Sequence, residues 1–336
     1  MPAEETALDP ERPIIDPHLH LWDIGAGPRA HQEPQTFLLP DALAMLDRSG
    51  HNVTHTVFLE CNAMYRREGP PELYPVGETE FANGIAAMSA SGRYGPRRIA
   101  HRIVGHVDLS LGDAVRPVLE AHLARAGTRF RGVRGRTAYT AAPMFGVASD
   151  PARQGITRDP RFRAGAAVLA EMDLSLDVWC VHTQLGELME FADALPDLAI
   201  VLDHIGTPES QGGWACREAE ARSEWAALIA ELARRPNVSI KIGGMGMDFS
   251  RPVPAETGKA TSQQLAGRWA PYVETCIAAF TPQRAMFESN FPPDKAAGSY
   301  GATWNAFKRI TAGYSDGEKD ALFRGTAARF YRIAEG

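Results

Sequence analysis

Short apolar runs rich in β-branched residues alternate along this chain with stretches whose apolar positions recur at helical spacing. Each run predicts a β-strand, and each recurring stripe predicts the buried face of a helix. Strands that alternate with helices are typical of a parallel sheet. Eight strands are predicted, at 14–21, 53–60, 98–107, 130–136, 174–182, 199–204, 238–242 and 284–290. Eight strands favour a closed barrel over an open sheet.

Capping residues mark the boundaries of some helices. Asp159 followed by Pro160 predicts an N-cap and a first helical position. Ser315 with Glu318 predicts a capping box at a second helix. We expect the apolar stripes of these helices to pack on the outside of the barrel.

The length of 336 residues fits a single barrel with enlarged loops, since such barrels typically need about 250 residues. We predict an α/β fold, a (β/α)8 TIM barrel with enlarged strand-to-helix loops, over residues 13–336. A flexible tail is predicted at residues 1–12. Long loops follow several strands, at 61–77, 138–158, 205–216, 243–260 and 291–302. Loops in these positions form the active face of a barrel.

The composition argues against several classes of function. Hydrophobic residues make up 44% and charged residues 23% of the chain, as in globular proteins. The net charge of −6 and the lack of a polybasic run argue against nucleic acid as a partner. The sequence has no signal peptide pattern, no apolar run near the ~20 residues of a membrane span, and four scattered cysteines. We therefore expect a cytoplasmic protein with a small-molecule substrate and no membrane partner, and a homo-oligomer remains open.

Two histidines lie close together in the first predicted strand. Side chains alternate between the two faces of a strand, so His18 and His20 share one face and Leu19 takes the other. Their positions along the strand are roughly 6.5–7 Å apart, within reach of one small ion or one substrate carbonyl. A solvated pair at a strand end is the alternative.

Ionisable and polar residues also stand at the ends of most other predicted strands. Because the carboxyl ends of barrel strands meet at one face, we expect these side chains to converge on one pocket. They are His18 and His20, Glu60, His106, Arg134 and Arg136, His182, His204, and Asn290 with Asp294 four residues later.

Three segments resemble a known superfamily. They are Ile-Asp-Pro-His-Leu-His-Leu-Trp-Asp at 15–23, Val-Leu-Asp-His-Ile-Gly at 201–206 and Phe-Glu-Ser-Asn-Phe-Pro at 287–292. Together with His182, they resemble the amidohydrolase superfamily over about residues 13–333. Within it, the chain is similar to the amidohydrolase 2 type of TIM-barrel metal-dependent hydrolases. That branch includes lactonases acting on pyrone dicarboxylates and sugar acids, and it is similar to decarboxylases on the same scaffold.

The resemblance implies roles for the histidines. His18 and His20 would be the metal-binding pair of the first strand, and His182 would be a ligand or a carbonyl-polarising group. His204 would line the site or bind metal. A histidine cluster favours one divalent ion, with zinc the first choice and manganese the second. A mechanism without metal, in which histidines and arginines polarise the carbonyl, is the alternative.

Asn290 departs from the family pattern, which has an aspartate there as general base. An amide cannot take a proton at neutral pH. Asp294 could replace the base if Pro292 and Pro293 aim it inward, or Glu60 could supply the carboxylate. Asp294 could instead be an exposed acid next to Lys295.

Substrate contacts are predicted around this centre. Arg134 and Arg136 share a strand face and suit a carboxylate, although either could pair with Glu60 or Glu288. Trp22 and Tyr65 are candidates for an apolar wall, and His106 is a further candidate contact. We predict a hydrolase that opens a cyclic ester of a small carboxylated compound by attack of an activated water. A non-oxidative decarboxylase and an inactive ligand-binding barrel are the alternatives.

Overall fold

The computed structural model describes residues 5–24, 35–141, 143, 148–247 and 259–334. Parts of the predicted tail and of the loops predicted at 138–158 and 243–260 lie outside these residues. No helix in the described ranges is long and apolar enough to cross a membrane.

Ten strands are described, and eight of them build one parallel sheet. In chain order they are β1 (Ile14–Leu19), β2 (Trp22–Ile24), β3 (Gln35–Phe37), β4 (Val53–Leu59), β5 (Arg98–Gly105), β6 (Phe130–Arg136), β7 (Ser175–Trp179), β8 (Ile200–Leu202), β9 (Val238–Ile242) and β10 (Ala285–Phe287). The sheet has the order β1-β4-β5-β6-β7-β8-β9-β10, while β2 and β3 form a separate antiparallel pair.

The sheet closes where the first and last strands meet. A parallel bridge joins Leu19 to Phe291. The backbone N–H of His20 donates to the carbonyl of Phe291 at 2.9 Å, and that of Asn290 donates to the carbonyl of His18 at 3.1 Å. The predicted TIM barrel is therefore confirmed, and its closure lies at the histidine pair.

The helices alternate with the strands and pack around the barrel. They are α1 (Leu39–Ser49), α2 (Val76–Ala90), α3 (Arg116–Ala126), α4 (Pro160–Glu171), α5 (Leu185–Ala194), α6 (Glu218–Leu232), α7 (Ser262–Phe280), α8 (Tyr300–Ile310), α9 (Asp316–Asp320) and α10 (Thr326–Tyr331). The side chain of Asp159 caps α4, and Ser315 with Glu318 forms the capping box of α9. Both capping predictions are confirmed.

The apolar core has two main parts. A large cluster joins the strands to the surrounding helices. A smaller cluster joins strand residues such as Ile15, Val57 and Met286 to Ala327 and Tyr331 of α10. The last helix therefore covers one end of the barrel interior.

Residues 5–12 lie against α7 and α8. The backbone N–H of Leu8 donates to Asn305 Oδ1 at 2.7 Å, and the Lys308 ammonium donates to the carbonyl of Leu8 at 2.8 Å. Glu5 accepts a hydrogen bond from the backbone N–H of Ser262 at 2.7 Å. The domain boundary at residue 13 stays a prediction.

Six strands end earlier than predicted, namely β1, β4, β5, β7, β8 and β10. The polar residues predicted at their ends therefore lie beyond the strands rather than on them, and they are His20, Glu60, His106, His182, His204 and Asn290. His204 and Asn290 adopt left-handed backbone conformations, with φ of 55° and 51°. A residue in that conformation cannot continue a strand, so the chain turns at these side chains.

Candidate active site

The two histidines of the first strand meet at their outer ring nitrogens. Nε2 of His18 lies 3.2 Å from Nε2 of His20, which confirms that the two side chains share one face. Nδ1 of His20 lies 2.9 Å from the carbonyl oxygen of Leu59, so it carries the proton and donates. Burial and the nearby Arg134 lower the pKa of His20 to about 3. His20 is therefore neutral at pH 7, and its Nε2 has a free lone pair.

Glu288 connects His18 to His204. Its Oε1 accepts from Nδ1 of His204 at 2.6 Å and from the His204 backbone N–H at 3.1 Å. Its Oε2 lies 2.8 Å from Nδ1 of His18. Although burial opposes its ionisation, the two histidines hold the pKa of Glu288 well below its usual range. Glu288 thus orients two histidines and does not pair with an arginine.

A third group of charges lies inside the barrel. Nζ of Lys241, on β9, lies 2.6 Å from Asp177 Oδ2 and 3.1 Å from Asp203 Oδ1. The same ammonium is 3.3 Å from Nδ1 of His18. Because β1, β7 and β9 are not neighbours in the sheet, these contacts must cross the barrel interior.

Glu60 and two arginines form a separate cluster. The Nε of Arg134 donates to Glu60 Oε1 at 2.7 Å, and the Nε of Arg136 lies 3.0 Å from the same oxygen. Arg136 also donates to Asn62 Oδ1 at 2.5 Å. Burial would raise the pKa of Glu60, but Arg134 and Arg136 outweigh it and lower the pKa to about 2. A carboxylate held this way is a weak base, which argues against the predicted alternative role of Glu60 as general base.

Asp294 turns back into the barrel mouth instead of facing solvent. Its side chain is 2% exposed. Oδ1 accepts from the Asn290 amide at 2.7 Å, and Oδ2 accepts from the backbone N–H of Gly246 at 2.9 Å. Burial raises the pKa of Asp294 to about 7, against a smaller lowering by His204. This pKa suits a general base at neutral pH.

Glycines after β9 let the backbone approach these side chains closely. A Cβ on Gly244 would lie 2.4 Å from the ring of His204, and one on Gly246 would lie 2.9 Å from the Asp294 carboxyl group. Any larger residue would displace one of these groups. The loop after β9 therefore fixes the positions of His204 and Asp294 by contact.

His182 lies apart from the other histidines, near the start of α5. The backbone N–H of Glu209 donates to its Nδ1 at 3.1 Å, so the ring proton of the neutral form is on Nε2. That Nε2 is buried and has no hydrogen-bond partner in the described part of the chain. Burial lowers the pKa of His182 to about 4. His182 is therefore a neutral donor with an unused N–H, and its ring lies 5.0 Å from that of Trp214.

The remaining predicted contacts lie around the edge of the site. The Trp22 ring stacks on His20 at 6.1 Å between centroids. Nδ1 of His106 is 3.5 Å from the carbonyl oxygen of Arg134. The Tyr65 hydroxyl is buried without a partner among the described residues, and after burial itself the charge of Glu60 is the largest influence that raises its pKa.

The histidine pair fits a tetrahedral metal ion. Two nitrogens bound to zinc at about 2.0–2.1 Å lie roughly 3.3 Å apart in tetrahedral geometry. The observed separation of the two Nε2 atoms is 3.2 Å. A ligand atom from each of His18, His204 and Glu288 also lies within 4.8 Å of the others. In the described part of the chain, that group includes neither His20 nor His182, whose roles as ligands stay predictions.

The sequence pattern did not indicate a role in the site for Lys241, Asp177, Asp203 or Glu209. Strand interiors were expected to be apolar, and Lys241 stands between Ile240 and Ile242. A lysine within an apolar barrel strand was the available signal, since a charge there must find a partner.

Comparison with known proteins identifies the family. A sequence model of the amidohydrolase family matches residues 15–333. The chain belongs to the amidohydrolase family. The predicted resemblance is confirmed, and the match includes all eight strands of the amidohydrolase barrel except the first residue of β1. The family supports the prediction of a hydrolase.

Several relatives cover nearly the whole chain. An uncharacterised protein, y4mH of Sinorhizobium fredii, is 35% identical over 95% of this chain and 98% of its own length. An L-fucono-1,5-lactonase of Burkholderia ambifaria is 28% identical over 95% of each chain. An amidohydrolase of Burkholderia multivorans, solved with bound zinc, is 26% identical with a TM-score of 0.73 and covers 96% of this chain and 99% of its own.

Proposed function

We propose that this amidohydrolase is a lactonase, which opens a cyclic ester of a small carboxylated compound by attack of water. One observation carries the proposal. A buried carboxylate, Asp294, is held by neutral donors and has a pKa of about 7, within a family whose relatives include an L-fucono-1,5-lactonase. The sugar-acid class of lactone is therefore the first substrate to test.

Asp294 and His182 have complementary chemistry for this reaction. The Asp294 carboxylate takes a proton from the attacking water as the C–O bond to the carbonyl carbon forms. The unused Nε2–H of His182 donates to the carbonyl oxygen, where negative charge develops. Collapse of the tetrahedral intermediate breaks the ring C–O bond, and the leaving alkoxide takes a proton, which Asp294 can return. The product is a hydroxy acid.

The arginine cluster favours an anionic product. Arg134 and Arg136 share the single carboxylate of Glu60, so one positive charge remains after pairing. Arg136 is the more exposed of the two, with 17% of its side chain accessible. The excess charge would attract the carboxylate that ring opening creates.

We propose zinc as the metal, held by Nε2 of His18 and His20. Bound there, zinc would supply Lewis acidity toward the carbonyl oxygen or an attacking water. Glu288 would orient His18 and His204 in either case, because its contacts are to their Nδ1 atoms. A cytoplasmic location and a small-molecule partner remain proposals.

A pH-stat assay tests the lactonase function. Purified protein is incubated with L-fucono-1,5-lactone and a panel of other sugar-acid lactones, and we expect acid release above the spontaneous rate. The value of kcat/KM should fall as pH drops through about 7, since Asp294 must be ionised to accept a proton.

Two other outcomes would replace the proposal. Release of carbon dioxide from aromatic or unsaturated acids, without lactone turnover, would identify a decarboxylase. A rise in melting temperature with lactones, but no turnover of either class, would identify a binding barrel.

A further inference from the structure

A cavity of about 730 Å³ lies on the outside of the barrel, and none of its lining residues belongs to the candidate active site. Its walls come from the N-terminal segment, from the first turns of α7, from the end of α8, and from Lys319 and Phe323 beyond it. Binding sites for small molecules typically have volumes of about 300–1,000 Å³. The cavity is therefore large enough for a small organic ligand, and the mechanism above does not use it.

The wall formed by the N-terminal segment is held in place by Lys308 of α8. The ammonium group donates to the backbone carbonyls of Leu8 and Asp9 at 2.8 Å each, and it lies 3.0 Å from Nδ1 of His51. The side chain is buried, and burial lowers the pKa of Lys308 to about 8. Lys308 is therefore still mostly charged at pH 7, and its contacts define one side of the cavity.

Two further cations line the cavity and have unused hydrogen-bond donors. Arg309 donates from Nε to the Ser262 hydroxyl at 2.8 Å. Lys319 donates to the backbone carbonyl of Ala312 at 3.0 Å. In the described part of the chain, neither cation forms an ion pair with a carboxylate. A guanidinium group has five N–H donors and an ammonium group has three, so most of these donors remain available to a ligand.

The acids around the cavity already have partners. Asp9 and Asp316 both pair with Arg12, at 2.5 and 2.9 Å. Glu5 accepts hydrogen bonds from the backbone N–H and the hydroxyl of Ser262. The C-terminus of α8 carries a partial charge of only about −0.5. The two cations with unused donors are therefore not neutralised by direct contact with an acid.

The cavity also has an apolar part. Leu8, Ala266 and Phe323 contribute to the lining, and Gly267 leaves open space beside α7, since a Cβ there would meet no atom within 4 Å. Apolar walls with a few polar groups that fix orientation are typical of small-molecule sites. This lining suits a ligand with an anionic part and an apolar part.

We propose that this cavity binds a small organic anion, whose oxyanion head group (a carboxylate or a phosphate) contacts Arg309 and Lys319. The apolar body of the ligand packs against Leu8, Ala266 and Phe323. Hydrogen bonds between such cations and an oxyanion are charge-assisted and strong. Because the N-terminal segment forms one wall, a bound ligand connects this segment to α8 and α9. The site does not depend on the proposed lactonase function.

Calorimetric titration of the full-length protein with phenyl phosphate tests the proposal. This probe has an anionic head group and an apolar ring, whereas inorganic phosphate and benzyl alcohol have one part each. We expect phenyl phosphate to bind roughly tenfold more tightly than either part, since both kinds of wall are then used. Tighter binding of benzoate than of phenyl phosphate would also support the proposal and would assign a carboxylate ligand. If neither probe binds more tightly than inorganic phosphate, the proposal is wrong.

Two variants at one position locate the bound probe. Gly267→Glu places a negative charge on the cavity wall, whereas Gly267→Gln adds a side chain of the same size without charge. Both replace an exposed helical glycine with open space around it, so both should fold. We expect Gly267→Glu to bind phenyl phosphate about tenfold more weakly than Gly267→Gln. Equal affinities would show that the probe binds elsewhere, for example at Arg136, and would overturn the proposal.

Removal of a cation gives a second measurement. Arg309→Gln should bind phenyl phosphate about 10- to 100-fold more weakly, because hydrogen bonds to a charged group are lost. Arg234→Gln is the matched control, since it removes the same charge from a side chain that is 75% accessible and does not line the cavity. Its affinity should stay within about twofold of the unmodified protein.

Unchanged affinity in Arg309→Gln would contradict the proposal. A loss of equal size in Arg234→Gln would do the same, because it would indicate a general effect of charge. None of these measurements requires turnover. Failure of the proposed lactonase function would therefore leave the result intact, and the reverse also holds.

Discussion

Two regions of the site each contain a buried carboxylate, yet the pKa values of the two groups are shifted in opposite directions. Beside β4 and β6, Glu60 lies between Arg134 and Arg136, and its pKa falls to about 2. Beside β10, Asp294 receives hydrogen bonds from an amide and a backbone N–H, and its pKa rises to about 7. Burial penalises both charges, so the partners decide the sign of the shift.

The comparison separates a structural acid from a reactive one. A carboxylate that is neutralised by two guanidinium groups stays ionised and holds the strands around it in place. A carboxylate with only neutral donors can exchange a proton near neutral pH. We therefore expect substitution of Glu60 itself to affect folding, and substitution of Asp294 to affect turnover.

The largest effect is expected for Asp294→Asn. The amide keeps the shape of the side chain but cannot accept the proton, so kcat/KM for the lactone should fall by roughly 10²–10⁴. Urea unfolding should show a free energy within about 1 kcal/mol of the unmodified protein, or higher, since a buried charge is removed. Retention of activity would shift the role of base to another group.

Glu60→Gln should have the second largest effect, on stability. Removal of one partner from a buried ion pair typically costs about 3–5 kcal/mol, because the arginines lose their counter-charge. Urea unfolding measures this change directly. A variant as stable as the unmodified protein would contradict the structural role of Glu60. Urea unfolding of Arg136→Lys would then show whether the Glu60–Arg136 ion pair contributes to stability.

Gly246→Ala should have a smaller effect, confined to turnover. Its added Cβ would lie 2.9 Å from the Asp294 carboxyl group, so the acid must shift by a few tenths of an ångström. We expect a decrease in kcat of about tenfold, as misplacement of a reacting group is costly. Gly267→Ala is the control, because its Cβ meets nothing within 4 Å in α7. Equal kcat values for the two variants would show that Asp294 tolerates movement.

Asp16 is a third buried acid, and its pKa lies between those of Glu60 and Asp294. Removal of one of its hydrogen bonds should have the smallest effect. This buried acid accepts hydrogen bonds from the backbone N–H groups of His18 and Ser289 and from the Tyr300 hydroxyl at 2.9 Å, and burial raises its pKa to about 6. Tyr300→Phe should cost about 1–2 kcal/mol in urea unfolding, with little change in kcat. Tyr94→Phe, at an exposed position, should cost nothing measurable.

The sequence predicted the parts of the site that depend on strand periodicity. His18 and His20 share a face because strand side chains alternate, and parallel strands bring Glu60 and Arg134 to the same end of the barrel. The role of Asp294 remained one of two alternatives, since its position depends on a turn that begins at the left-handed Asn290. Local spacing does not specify such a conformation.

The interior charges were missed for a different reason. Lys241 and Asp177 are 64 residues apart in the chain and meet only because the barrel closes. Each looks like an isolated exception within an apolar strand. Long-range pairing of this kind has no local signal, so only the assembled fold shows which charge compensates which.

The position of Tyr331 in the last helix has a consequence for biosynthesis. Its hydroxyl completes the contacts of Asp177, and its ring lies 5.4 Å from the Lys241 ammonium. A ribosome delivers α10 after every strand of the barrel, so the interior charges lack this partner until all of the strands have emerged. The growing chain should consequently remain sensitive to proteases until a late stage, and it should acquire resistance in one step when α10 docks.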